Sequence, residues 1–268
     1  MNLSKKVSHS FSEQFGGSSA LMVRSPGRVN LIGEHTDYNE GFVLPAAVDK
    51  EILFGISPNN SSDCRLFSID KDQFIETDVS ANQIESSDMG WPNYILGVVD
   101  QLKKAGYEVP GFDLAFGGNI PIGAGMSSSA ALEGGTIFGL SKIFDWDISR
   151  LDMVKKSQKA ENEFVGVNCG IMDQFANIFS EAGKVFRLDC RSLDYEYYPF
   201  VRDDLKIILC DTTVRRELAT SEYNVRRSQC EEGVEILNKF FDNINSLRDA
   251  TLDRSEEHTS ELQSLLII

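Results

Sequence analysis

The chain has 268 residues, of which 41% are hydrophobic and 25% charged, and carries a formal net charge of −15. Such a composition suits an ordinary soluble globular protein with one large domain or two moderate ones. The acidic balance excludes a phosphate-backbone binder, which needs a basic face, though it leaves room for a local anion pocket.

The N-terminal stretch "MNLSKKVSHSFSEQFG" is polar, with Phe11 and Phe15 four apart, and reads as a short amphipathic helix. "ALMVRSPGRVNLIGEH" is a strand-like run broken at Pro26 and Gly27. "GFVLPAAVDKEILFGISP" alternates and is rich in Val, Ile and Phe, so strands are expected. "CRLFSID" and "QFIETDVS" pair as a hairpin. "WPNYILGVVDQLKKAG" places Tyr94, Ile95, Val98, Val99 and Leu102 at helical spacing, with Gly106 as the cap. A strand, "GFDLAFGGNIP", leads to a helix opening on a serine cluster, "SSSAALEGGTIFGLSKIF". Two helices follow, "SRLDMVKKSQKAENEF" and "CGIMDQFANIFS", then strands "KVFRLDC" and "DLKIILCDT", then a long helix "SEYNVRRSQCEEGVEILNKFF". The fold class is α+β, with a domain change expected near Cys190 to Leu205.

Cys64, Cys169, Cys190, Cys210 and Cys230 are scattered and form no CxxC pair; with no signal-peptide pattern, they fit free thiols in a reducing cytoplasm. Three histidines at unrelated positions do not make a zinc site of the usual kind. No apolar run approaches the ~20 residues that span a bilayer, so no membrane partner is expected.

The strongest chemical signal is "PIGAGMSSSAALE". Gly123, Ala124 and Gly125 let the backbone approach a ligand closely. Ser127, Ser128 and Ser129 crowd a helix N-terminus with hydroxyls and free amide donors, which favours an anion such as a phosphate chain. It is neither a Walker loop nor GxGxxG. A glycine-rich turn with a serine cap is the plainer alternative. A nucleotide triphosphate brings a divalent ion, for which Ser129 offers a hydroxyl and Glu161 or Glu163 a carboxylate. "GRVNLIGEHTDY" gathers Arg28, Asn30, Glu34, His35, Asp37 and Tyr38, groups that suit a polyhydroxylated ligand or, equally, a salt-bridged loop. "GVNCGIMDQF" sets Asp173 among small apolar residues, as a helix cap or as a group that accepts or orients the proton of an attacking hydroxyl, with Arg28 as its partner.

Four segments in this order, "PGRVNLIGEHTDYNEGFVLP", "PIGAGMSSSAALE", "NCGIMDQF" and "SEYNVRRSQCE", resemble the galactokinases, members of the GHMP family of small-molecule kinases, from about Arg24 to Asp253. The resemblance implies a two-domain GHMP-kinase fold with a ribosomal-protein-S5-like N-terminal domain over residues 1–200 and a second domain starting at 201–253. It implies Mg²⁺-dependent transfer from ATP to the anomeric hydroxyl of galactose, giving galactose 1-phosphate and ADP, the first committed step of galactose catabolism. By position Asp173 matches the catalytic aspartate and Arg28 its partner. Glu34, His35, Thr36, Asp37 and Tyr223 match sugar-binding residues. Gly123, Ala124, Gly125, Met126, Ser127, Ser128 and Ser129 match the ATP loop, and Trp91 a tryptophan near adenine. Ser129 and Glu161 match the magnesium ligands, which selects Glu161 over Glu163. A cytoplasmic monomer with galactose and ATP as partners is implied. An N-acetylgalactosamine kinase and a non-catalytic sugar- and ATP-binding sensor remain alternatives; the intact "SSSAAL" counts against the sensor.

The galactokinases continue well past Asp253 and add a glycine-rich "GGGFGG"-type motif, whereas this chain ends in "RSEEHTSELQSLLII". That end resembles the translation of a sequencing adapter. Residues 254–268 are therefore expected to be non-native, and the chain as written is expected to be insoluble or a weak ligand binder.

Overall fold

The computed structural model describes residues 2–121, 123–201, 204, 206–210 and 219–251. The expectation about residues 254–268 lies outside them.

Helix α1 (Leu3–Phe15) starts on Asn2, whose side chain accepts from the Lys5 amide, and buries Val7 and Phe11. Five strands follow in one sheet: β1 (Leu21–Asn30), β3 (Pro45–Pro58), β4 (Asp63–Ser68), β5 (Gln73–Asp78) and β6 (Phe112–Gly118). Their spatial order is β1-β3-β6-β4-β5. All neighbours are antiparallel except β4 and β6, so β6 returns beside β4 through helix α2 (Pro92–Lys104). In β3 the run Ile52 to Ile56 is buried on both faces rather than alternating, because the sheet is covered on both sides. Helices α2 and α3 (Ser128–Ile143) seal one face around Phe54, Ile56, Leu66, Ile95, Leu114 and Ile137, while Phe11 of α1 meets Phe67 and Ala115 on the other.

A smaller sheet joins β2 (Phe42–Val43), β7 (Lys184–Asp189) and β8 (Tyr195–Pro199) in the order β2-β7-β8. Helices α4 (Arg150–Lys159) and α5 (Met172–Phe179) cover it, with Phe175 stacked on Phe179 and tilted against Phe186. Helix α6 (Ala219–Leu237) and a 3₁₀ turn (Leu247–Asp249) then fold back on this unit.

The helix and strand order expected from the sequence holds, with four differences. β1 runs straight through Pro26 and Gly27 with a register shift, which an edge strand tolerates because the missing N–H costs no internal ladder bond. The helix expected to run on to Phe164 changes at Ala160 into a π-helical turn (Ala160–Val165). Tyr195–Pro199, passed over in the sequence, forms β8, so pairing continues across the first half of the expected domain change. Residues 206–210, expected as a strand, hold no regular structure.

Candidate active site

A cleft of about 370 Å³ opens at the end of β1. Its walls come from β1 and the loop after it, the loop before α3, the π-turn, the lead into α5, and α6.

The β1 register shifts between Pro26 and Arg28, and Arg28 then pairs with Ala47. A β-carbon on Gly27 would lie 2.9 Å from the Met126 carbonyl oxygen, so glycine lets β1 press against the phosphate-loop candidate. The Arg28 amide donates to that same carbonyl, and its Nη1 donates to the Gly125 carbonyl at 2.5 Å. The rest of the guanidinium grips Asp173 as a fork: Nε to Oδ1 at 2.7 Å and Nη2 to Oδ2 at 2.9 Å. Burial pushes the Arg28 guanidinium down, but the charge and hydrogen bonds of Asp173, with Glu34 and Asp37 behind it, raise it above its ordinary value. Ser127, in left-handed backbone at φ +55°, donates its hydroxyl to Asp173 Oδ2 at 2.5 Å instead of capping α3. Asp173 thus accepts three hydrogen bonds on about four lone-pair positions, leaving one for a ligand hydroxyl.

Around it stand Glu34, His35, Asp37 and Tyr223. Glu34 accepts from Asn30 at 3.0 Å, and His35 Nδ1 lies 2.8 Å from the Tyr38 hydroxyl. Tyr223 accepts from the Gly170 amide and packs against His35 and Tyr38. Asp37 is buried; desolvation, then the charge of Asp173, raises its carboxyl to about 6. A β-carbon on Gly170 would lie 2.0 Å from Asp37 Oδ2, so only glycine lets these two segments close the wall.

On the opposite side lie Gly123, Gly125, Met126, Ser127, Ser128 and Ser129, with the open amides of the α3 N-terminus. One cleft therefore joins a carboxylate- and hydroxyl-rich wall to an anion-binding wall, with Arg28 and Asp173 at the seam.

Two family models match this chain. Residues 9–58 match the galactokinase galactose-binding signature and residues 93–181 the N-terminal domain of GHMP kinases. The crystal structure of Lactococcus lactis galactokinase complexed with galactose superposes with a TM-score of 0.84 at 35% identity, over 96% of this chain and 67% of that one.

The chain belongs to the galactokinase family.

It is 43% identical over 219 residues to the galactokinase of Thermosipho africanus, covering 82% of this chain and 60% of that protein. It is 40% identical over 252 residues to that of Roseiflexus, covering 94% and 64%. The chain thus spans somewhat less than two thirds of the length of these galactokinases. Its fold is the GHMP-kinase fold.

Three residues expected in a galactokinase site stand outside the cleft wall. The Thr36 hydroxyl lies 2.8 Å from both the Gly33 and Phe42 carbonyl oxygens and holds the turn that presents His35 and Asp37. Trp91 is buried in the main core beside Phe116, its Nε1 donating to Gln73, so its ring has no free face for a base. Ala124 packs towards the core. Conversely, Tyr94, read as part of an apolar helix face, lines the cleft. Burial, then the charges of Glu161 and Glu133, raises its hydroxyl to about 12.

Among the described residues no group of three or more His, Cys, Asp or Glu side chains could hold a metal by itself. Magnesium bound with a nucleotide asks for less, one or two protein oxygens beside phosphates and water. Ser129 and Glu161 both line the cleft. The π-turn buries Glu161, and desolvation followed by the charge of Asp173 pushes its carboxyl well above the usual range. Glu133 behind it is fully buried and raised for the same reason, and its Oε1 has no partner. Two buried acids without a salt bridge among the described residues, at the edge of a phosphate loop, fit a divalent ion.

Proposed function

We propose that the full-length protein is a galactokinase that transfers the γ-phosphoryl group of ATP to the anomeric hydroxyl of galactose, giving galactose 1-phosphate and ADP. The observation that carries this reading is the Arg28–Asp173 fork at the seam of the two walls. Phosphoryl transfer needs positioning and charge neutralisation more than covalent chemistry, and the fork supplies both. Galactose sits against Glu34, His35, Asp37 and Tyr223, its anomeric hydroxyl donating to the remaining lone pair of Asp173. The triphosphate lies along Gly123 to Ser129 and the amides of α3. Arg28 neutralises charge that develops on the transferring group and holds the Asp173 carboxylate in line. Ser129 and Glu161 would hold Mg²⁺, which neutralises phosphate charge when bound. Residues 1–200 are read as the N-terminal domain and 201–253 as the start of a second one, in a cytoplasmic monomer.

Asp173→Asn in the full-length protein tests the assignment. Galactose-dependent ADP release should fall about 10²–10⁴-fold while galactose still binds. Turnover within a few-fold of the parent would remove Asp173 from the chemistry.

A further inference from the structure

Gln174 follows Asp173 in the first turn of α5 and exposes none of its surface. It does not line the cleft. A buried amide costs free energy unless it is hydrogen-bonded, so its partners identify what it is for. Its nitrogen donates to Glu161 Oε2 at 2.7 Å and to Glu133 Oε2 at 3.0 Å, with Cys169 Sγ at 3.7 Å. Both contacts are made by the NH₂ end of the amide, and together they set which way Gln174 points. Its own Oε1 is left without a partner, as is Glu133 Oε1. The side chain is therefore held by its donor end alone. Helix α3, the π-turn and α5 meet at this one nitrogen.

We propose that Gln174 is a positioning residue: it holds the Glu161 carboxylate in the orientation a divalent cation requires and ties that carboxylate to the helix turn that carries Asp173. The inference rests on the cation site of the proposed function. An amide packed only as filler would have no reason to spend both donors on two acids while leaving its acceptor unpaired. The π-turn gives the mechanism its need. It swings Glu161 inward, where among the described residues its carboxylate accepts from Gln174 at 2.7 Å and lies 3.5 Å from Cys169 Sγ. Partners behind a metal ligand typically contribute about 10–100-fold in metal affinity.

The test measures Mn²⁺ binding in the presence of ADP by electron paramagnetic resonance on the full-length protein. Metal-free ADP binding and galactose binding are measured alongside by calorimetry. In Gln174→Met, Mn²⁺ affinity should fall about 10–100-fold, with metal-free ADP and galactose affinities within about twofold of the parent. Gln174→Leu, which also removes the donor and adds no charge, should fall in the same direction and carries the test should the Met variant not fold. In a Glu161→Gln background the Gln174 substitution should have no further effect. Parent-like Mn²⁺ binding in both variants, or a loss that persists without the Glu161 carboxylate, would overturn the inference alone. A parent that binds no Mn²⁺ with ADP would instead overturn the cation site and the inference together.

Discussion

Asp37 shows what burying a single carboxyl in this cleft costs in stability. Its carboxyl is buried and sits at about 6, against an ordinary 3.8. Above about 6 the folded and unfolded states are both ionised, and folding carries the cost of burying the charge. Below 3.8 both are protonated and the cost vanishes. Between these values the folded state binds the extra proton, so this contribution to stability grows as the pH falls through the window. Asp37→Asn should therefore be more stable than the parent at pH 7, by about 1–3 kcal/mol, with the difference shrinking towards pH 4. It should also bind galactose more weakly. Denaturant unfolding at several pH values and calorimetry with galactose check both halves. At this scale the sequence revealed residues that sit in compact motifs, Arg28, Asp37 and Asp173 among them. It hid Gln174 and Tyr94, because a polar residue inside a motif and an aromatic on a helix face both have plain readings until their neighbours are known.

Helix α6 contributes to the site as an element. Beyond presenting Tyr223, it clamps the segment that leads into α5. Asn224 accepts from the Asn168 amide at 2.9 Å and donates to the Gly166 carbonyl, while Arg227 donates to the Asn168 carbonyl at 2.9 Å. These bonds hold Cys169 and Gly170, and through them the wall against Asp37. Arg227→Met should cost only about 1 kcal/mol of stability, as one charged hydrogen-bond set at a partly exposed position. It should weaken galactose binding several-fold and raise amide hydrogen exchange over residues 166–170, with metal-free ADP binding unchanged. An effect confined to global stability would deny the clamp. Helix α2 was legible from its apolar spacing and α3 from the serine cluster that opens it. The π-turn was not, because its extra residue is set by packing: a β-carbon on Gly97 of α2 would lie 3.1 Å from the Ala160 carbonyl oxygen. Nor was β8, whose five residues include no fully buried side chain and so carry no alternation.

Over the whole molecule, the later segments are fastened to the earlier ones by arginines as well as by apolar contact. Arg248, in the 3₁₀ turn, donates to both oxygens of Asp189 at the end of β7 and to the Glu40 carbonyl. Arg191 joins Glu40 and Asp249. The hydrogen bond from Arg248 holds Asp189 down at about 2. A depressed carboxylate contributes stability above its unfolded value, and that contribution is lost as the pH falls through 3.8 towards about 2. Arg248→Met should cost about 1–3 kcal/mol at pH 7 and move acid unfolding to higher pH, read by circular dichroism; an unchanged acid midpoint would mean that this fastening carries no stability. The sequence showed the order of elements but not the arrangement of β6 beside β4, since strand order depends on long-range contacts that no local pattern encodes.

The proposed reaction brings a sugar hydroxyl to a phosphate chain at Asp173 within one cleft. Galactose-dependent ADP release by the full-length protein, compared with Asp173→Asn, tests it most directly. Release should require galactose and fall about 10²–10⁴-fold in the variant. Release that is independent of galactose, or equal in parent and variant, would contradict it.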